Sequence, residues 1–226
     1  MATQFKWRGG QVTRIEALTD AVFGFAITFL FVSFDVPADF DALKIQLRGF
    51  IPFAACFALL ILVWIQHYKL FGRFDLDDAI TLLLNSILLF VVLFYIYPLK
   101  FVFSSLIGGT ITTFSSWDQV RSMMTLYGVG FVAVYLVFGL MYHHAYRRRR
   151  ALDLNEDDVY YAITNVGECA VMVAIGVMSI VIAQTAPLRF AAPAAGFAYF
   201  LIGPAQWYRS VWTNKRRGEF LARASR

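Results

Sequence analysis

The chain has 226 residues, of which 59% are hydrophobic and only 15% are charged. Soluble domains carry about 25% charged residues, and several apolar runs here exceed the roughly 18 residues that cross a bilayer. These features exclude a soluble domain. The formal charge of +5 lies at the ends of apolar segments, which indicates orientation in a membrane rather than a nucleic-acid surface.

The hydropathy pattern predicts an all-α integral membrane protein with six transmembrane helices. Residues 1–13 form a cytoplasmic N-terminal segment, 14–212 a single transmembrane domain, and 213–226 a basic cytoplasmic tail. The connections between spans are short, so they leave no room for a second domain. In chain order, the predicted spans are 14–37, 47–71, 79–103, 120–146, 160–186 and 190–212.

Basic residues predict the orientation of these spans. Six spans put both termini on one side, together with the second and fourth connections, and most of the 20 lysines and arginines fall there. Because basic residues accumulate on the cytoplasmic side, both termini are predicted to be cytoplasmic. His143, His144 and the arginines at 147–150 are interpreted as a solvated helix end that touches anionic lipid.

Several polar residues fall inside the predicted spans, where they are costly and usually face the interior of a helix bundle. A rise of about 1.5 Å per residue places four of them roughly 6–12 Å from the cytoplasmic ends of their spans. A shared polar layer is therefore geometrically possible. These four residues are Asp20, His67, Asn85 and Glu168.

Two interpretations of this layer stay open. It is either a structural clamp between helices, with Asp20 paired to His67, Asn85, Lys69 or Arg73, or a proton-sensing element around His67. Glu168 is compatible with a functional role or with a side chain that reaches toward the cytoplasm.

The first span also carries a stripe of residues spaced three and four apart, which share one helix face. The stripe consists of Phe25, Thr28, Phe29 and Val32. Asp20 is rotated about 140° away from it. Such a stripe suits either helix packing or a pore-lining helix.

The start of this span resembles a known family. Residues 14–23, RIEALTDAVF, are similar to the Arg-x-x-x-Phe-Ser-Asp signature of the transmembrane protein 175 family of potassium channels. The similarity extends through Ala26-Ile27-Thr28 and the pair Val36-Pro37. Trp64-Ile65-Gln66-His67 and Asn85 resemble the polar partners of the signature.

The resemblance implies a homotetrameric potassium channel in the membrane lipid, of the single-repeat type found in the bacterial plasma membrane. It implies that K⁺ is the permeant ion, that no cofactor or metal is needed, and that the protein is neither an enzyme nor a nucleic-acid or soluble-substrate binder. The first helix would line the pore, with a constriction formed by Phe25, Thr28, Phe29 and Val32. The structural polar network around that helix would comprise Arg14, Thr19, Asp20, His67 and Asn85.

Two departures from the signature bear on this expectation. Leu18-Thr19 replaces Phe-Ser, and Phe25 occupies a position where leucine or isoleucine is expected. Four phenylalanines around an axis either close the pore more tightly or offer ring faces to a cation. A proton-permeable channel, a non-conducting regulatory subunit and a membrane enzyme built on His67 are the alternatives.

Overall fold

The computed structural model describes residues 12–32, 37–107 and 116–224. These ranges contain helices and no strand, which confirms the all-α prediction. The α-helices are α1 Arg14–Val32, α2 Phe40–Arg48, α3 Phe50–Phe74, α4 Ala79–Ile107, α5 Trp117–Arg147, α6 Glu156–Thr185, α7 Leu188–Ala198 and α8 Ile202–Ala224.

Four of these helices, α3 to α6, are long and apolar enough to cross a membrane. Their cores correspond to the second to fifth predicted spans, and they make the chain a multi-pass membrane protein. The first predicted span coincides with α1 up to Val32, beyond which residues 33–36 lie outside the described part. The predicted sixth span falls on α7 and α8.

Two local features differ from the sequence prediction. The short helix α2 was not expected, because its nine residues fall below the length of a membrane span. A 3₁₀ turn, Tyr199–Leu201, separates α7 from α8. Pro204 follows this turn, and proline lacks the N–H group that would continue an α-helical ladder back to Phe200. Helix α8 then runs without a break across the boundary predicted between residues 212 and 213.

Side chains at the helix termini explain where several helices start and stop. Thr13 and Glu16 form a reciprocal cap at α1: the Thr13 N–H donates to Glu16 Oε2 at 2.8 Å and the Glu16 N–H to Thr13 Oγ1 at 3.2 Å. Asn155 Oδ1 accepts from the Asp158 N–H at 2.8 Å at the start of α6. Helix α3 ends at Asp75, whose left-handed backbone (φ 47°, ψ 51°) stops the helix.

The bundle is built around the pair α5 and α6, with α4 against α5, and with α7 and α8 against α6. Helices α4 and α5 meet at Gly130, where the Tyr95 ring occupies the space that a Cβ atom on this glycine would need. Helix α1 packs against α3 and α4. It therefore lies at the edge of the subunit, with part of its surface uncovered.

Ion pairs join the end of α3 to the start of α6, and the end of α5 to the loop before α4. Arg73 Nε lies 2.9 Å from Asp158 Oδ1. Asp78 lies 2.9 Å from His144 Nε2 and 3.3 Å from Arg148 Nη1. The prediction of a solvated helix end agrees with the exposed His143, Arg147 and Arg150. It was wrong for His144, because this imidazole is largely buried against a carboxylate.

These partners change the pKa of the Asp78 carboxyl group. Burial alone would raise the pKa of its carboxyl group, but the hydrogen bonds from Thr81 and His144, together with the charges of His144 and Arg148, hold that pKa below its ordinary value. The carboxylate therefore stays ionised in the folded protein at neutral pH.

Candidate functional site

Helix α1 has two different faces. Its buried face repeats every three or four residues and packs against α3 and α4. This spacing is that of one helix face, so the sequence places one side of α1 inside the subunit. The buried residues on it are Ile15, Thr19, Phe23, Ala26 and Leu30.

The opposite face of α1 is uncovered in the single chain. Three of the four predicted constriction residues lie on it: Phe25 is 57% exposed, Phe29 is 48% exposed, and Thr28 is also exposed. The backbone of Val32 belongs to α1, but its side chain lies outside the described residues. Ala21 is also exposed on this face.

The chemistry of the uncovered face is both aromatic and polar. The rings of Phe25 and Phe29 meet edge to face, with centroids 4.5 Å apart. Thr28 Oγ1 donates to the Gly24 carbonyl at 2.9 Å. Since that bond uses the hydroxyl hydrogen, the Thr28 oxygen keeps acceptor lone pairs on the uncovered side.

A chain of hydrogen bonds anchors the buried face of α1. His67 Nε2 lies 2.9 Å from Asn85 Oδ1, Asn85 Nδ2 donates to Thr19 Oγ1 at 2.8 Å, and Thr19 Oγ1 donates to the Ile15 carbonyl at 2.9 Å. Each of these three bonds pairs a donor with an acceptor when His67 carries its proton on Nε2. Thr19, His67 and Asn85 are each at most 2% exposed, so the chain links α1, α3 and α4 away from solvent.

The other two residues of the predicted network lie apart from this chain. Asp20 is exposed, and its Oδ1 accepts a 2.7 Å hydrogen bond from Trp64 Nε1 on α3. Arg14 is exposed at the start of α1, and no hydrogen bond joins it to the other predicted residues within the described part of the chain. The structure therefore brings three of the five residues together and leaves Asp20 and Arg14 at the surface.

This arrangement suits anchoring better than catalysis. A buried hydrogen-bond chain with satisfied partners holds helices in place, and it offers no reactive group to a substrate. His67 is further confined by Phe71, whose ring stacks on the imidazole at a centroid distance of 4.3 Å.

Comparison with known proteins identifies the family. The family model described as "Endosomal/lysosomal potassium channel TMEM175" matches residues 14–95. A protein of Marivirga tractuosa named potassium channel is 39% identical to the chain over 231 aligned positions, which cover 96% of this chain and 94% of that protein. The chain belongs to the TMEM175 family.

Further TMEM175 relatives agree with this assignment and confirm the resemblance inferred from the sequence. A crystal structure of a variant of the potassium channel MtTMEM175, in complex with a nanobody fusion protein, superposes with a TM-score of 0.81 at 37% identity and covers 95% of this chain and 99% of that one. A potassium channel of Chamaesiphon minutus is 27% identical over 64% of this chain and 70% of its own length. The structure of a TMEM175 homologue from the same organism, at 22% identity and a TM-score of 0.50, shares the fold.

Proposed function

We propose that four copies of this chain form a potassium-permeable channel that conducts passively. The pore is lined by α1, and its constriction is formed by Phe25, Thr28, Phe29 and Val32. The observation that carries this proposal is the division of α1 into an anchored buried face and an uncovered face with small, hydroxyl and aromatic side chains. The names of the relatives, which are potassium channels matched over most of their length, support the same function.

The proposed constriction acts through a narrow apolar ring. Phenylalanine rings around an axis hold water poorly, so such a ring can close by dewetting. Ring faces also attract a cation within about 6 Å of the centroid. The acceptor lone pairs of Thr28, close to the rings, would replace part of the hydration shell of K⁺.

Orientation and location complete the proposal. The concentration of basic residues supports cytoplasmic termini, and the single-repeat chain suits a bacterial plasma membrane. The first span and the last, broken span cross the membrane together with α3 to α6, which gives six crossings per subunit.

The decisive experiment compares two phenylalanines in a flux assay. Purified wild type, Phe25→Ala and Phe94→Ala are reconstituted into liposomes, and efflux of K⁺ and Na⁺ is measured with a proton ionophore present. Phe94 is the matched control, because it is 59% exposed on α4 against 57% for Phe25. We expect K⁺ flux above Na⁺ flux in wild type, a severalfold increase in Phe25→Ala, and no change in Phe94→Ala.

Other outcomes select the alternatives. Equal flux in all three proteins would place the constriction elsewhere. Proton flux in a parallel assay without the ionophore, in a protein that carries no K⁺, would favour a proton channel, and no flux in any variant would favour a regulatory subunit. Native mass spectrometry of the same samples measures assembly, and a monomeric or dimeric mass for the conducting protein would contradict the tetramer.

A further inference from the structure

A polar cavity lies among helices other than α1. It has a volume of about 380 Å³ and is bounded by α3, α5, α6 and the start of α8. None of its lining residues belongs to the pore helix proposed above. The cavity opens outward, since α3 packs mainly against α1 and α4 rather than against α6 or α8.

The cavity is polar at one end and apolar at the other. Along α3, Gln66 and Lys69 lie nearer the C-terminal end of the helix, where Arg73 pairs with Asp158. Leu62 lies about two turns before Lys69, deeper in the bundle. Along α6, Glu168 lies nearer the N-terminal end of the helix, which carries Asp158, and Met172 lies one turn deeper in the bundle. Both helices therefore change from charged to apolar in the same direction.

Some polar groups of this cavity have protein partners and others do not: Gln66 and Asn165 donate to Cys169 Sγ and to the Tyr161 carbonyl. Within the described residues, neither Glu168 nor Lys69 forms a hydrogen bond or an ion pair, although both line the cavity. Gln206, from α8, also lines it and has no described hydrogen bond. Glu168 is partly buried, and a carboxylate removed from water is costly when unpaired, so a ligand that donates to Glu168 would stabilise this site.

A second positive charge stands beside Glu168. The Arg209 guanidinium lies over Gly167, and its Nη2 donates to the Thr164 carbonyl at 3.1 Å. Its Nε is buried without a hydrogen-bond partner in the described structure. Among the described residues, the positive charges of Arg209 and Lys69 favour the ionised form of the Glu168 carboxyl group.

We propose that this cavity binds a phospholipid whose head group carries both a primary ammonium and a phosphate. The ammonium donates to the Glu168 carboxylate, and the phosphate accepts from Lys69 beside the charge of Arg209. The first part of an acyl chain lies along Leu62 and Met172. A purely anionic head group would leave Glu168 unpaired, and a free soluble ligand would leave the apolar end of the cavity empty.

The test is lipid competition by native mass spectrometry. Purified protein is equilibrated in mixed micelles with equimolar dioleoyl phosphatidylethanolamine, phosphatidylcholine and phosphatidylglycerol, and the retained lipids are counted. We expect about a tenfold preference for phosphatidylethanolamine, the size expected of one charge-assisted hydrogen bond. Phosphatidylcholine cannot donate such a bond from its ammonium group, and phosphatidylglycerol has no amine.

Variants assign the preference to the cavity. Glu168→Gln should abolish the preference for phosphatidylethanolamine over phosphatidylglycerol, and Lys69→Gln should lower retention of all three lipids. Asp77→Asn is the control, because Asp77 is an exposed carboxylate in the loop before α4. Elution volume and melting temperature in detergent alone establish that each variant is folded.

Several results would overturn the proposal. They are an absence of head-group preference in wild type, equal behaviour of Glu168→Gln and Asp77→Asn, and displacement of the lipid by millimolar phosphoethanolamine. If Glu168→Gln does not fold, the wild-type ratio of phosphatidylethanolamine to phosphatidylcholine decides alone. Lipid retention is measured without ion flux, so the test of lipid binding does not depend on whether the protein conducts potassium.

Discussion

The uncovered faces of α1 and α4 differ in chemistry, although both are exposed in the single subunit. On α4 the exposed side chains are mostly large and apolar, as a surface against acyl chains requires. They include Ile80, Leu82, Leu83, Ile87, Phe90, Phe94 and Tyr97. On α1, the exposed rings of Phe25 and Phe29 alternate with small or hydroxyl residues, which are Ala17, Ala21, Gly24 and Thr28. Small and hydroxyl residues let helix backbones approach each other in a membrane, so in the proposed tetramer we expect α4 to face lipid and α1 to face the other subunits.

The largest expected effect comes from a bulky residue on the α1 face. We expect Ala21→Trp to reduce K⁺ flux to the level of protein-free liposomes, because four indole rings would fill the space around the axis. Leu83→Trp, on the lipid-facing side of α4, should keep wild-type flux. Flux assays on equal amounts of reconstituted protein check this, and identical behaviour of the two variants would remove the distinction between the faces.

The buried faces of the same helices offer a second comparison, since α4 packs closely on α5 whereas α1 is held by hydrogen bonds. Gly130→Ala would place a methyl group against the Tyr95 ring, so we expect the free energy of unfolding to fall by about 1–3 kcal/mol. Gly203→Ala is the control, because no atom lies within 4 Å of its Cβ position. Denaturant titrations in micelles measure both values, and equal stability would show that the ring moves away without cost.

A smaller effect is expected at the polar anchor of α1. Asn85→Leu leaves Thr19 and His67 without their shared partner, which should cost about 1–2 kcal/mol of unfolding free energy. The neighbouring Ser86→Ala is a matched control, because Ser86 is exposed and its Oγ donates to Leu82 within its own helix at 2.8 Å. The same titrations apply, and a neutral Asn85→Leu would mean that packing alone holds α1.

The smallest effect concerns the start of α4, which is tied to α5 through Asp78. Asp78→Asn should lower stability at neutral pH by less than about 1 kcal/mol, since the group is partly exposed. The pKa of Asp78 is lowered in the folded state, so its contribution is present above its ordinary value near 4 and is lost as pH falls through the folded value. Melting temperatures of wild type and variant should therefore converge as pH falls below about 4, and a constant difference would contradict the assignment.

Hydropathy predicted the helices whose formation depends on long apolar runs. Helices α3 to α6 appear where these runs lie, because twenty or more apolar residues have little alternative to a membrane helix. The break at Tyr199–Leu201 and the short helix α2 depend on local features. A hydropathy average over a membrane-length window detects neither the effect of one proline, Pro204, nor a helix of nine residues such as α2.

The depth of the polar residues along their helices was easier to predict than the contacts that their side chains make. The rise per residue placed Asp20, His67 and Asn85 at similar depths, but it did not determine which side chains meet. Asp20 bonds to Trp64, and Arg73, considered as its partner, pairs with Asp158 from far along the chain. Such pairings depend on the rotation and tilt of each helix, which arise from packing between segments distant in sequence.

The hydrogen bond between Asn85 and Thr19 also sets the azimuth of α1. Thr28 follows Thr19 by nine residues, and nine residues make about two and a half turns, so the two threonines point in nearly opposite directions. A slip of one residue would turn α1 by about 100° and place a different side chain before Asn85. The hydrogen bond at Thr19 thus fixes the rotation of α1 about its own axis. Because Thr19 is held against α4, Thr28 lies on the opposite side of the helix, about 13 Å farther along the axis.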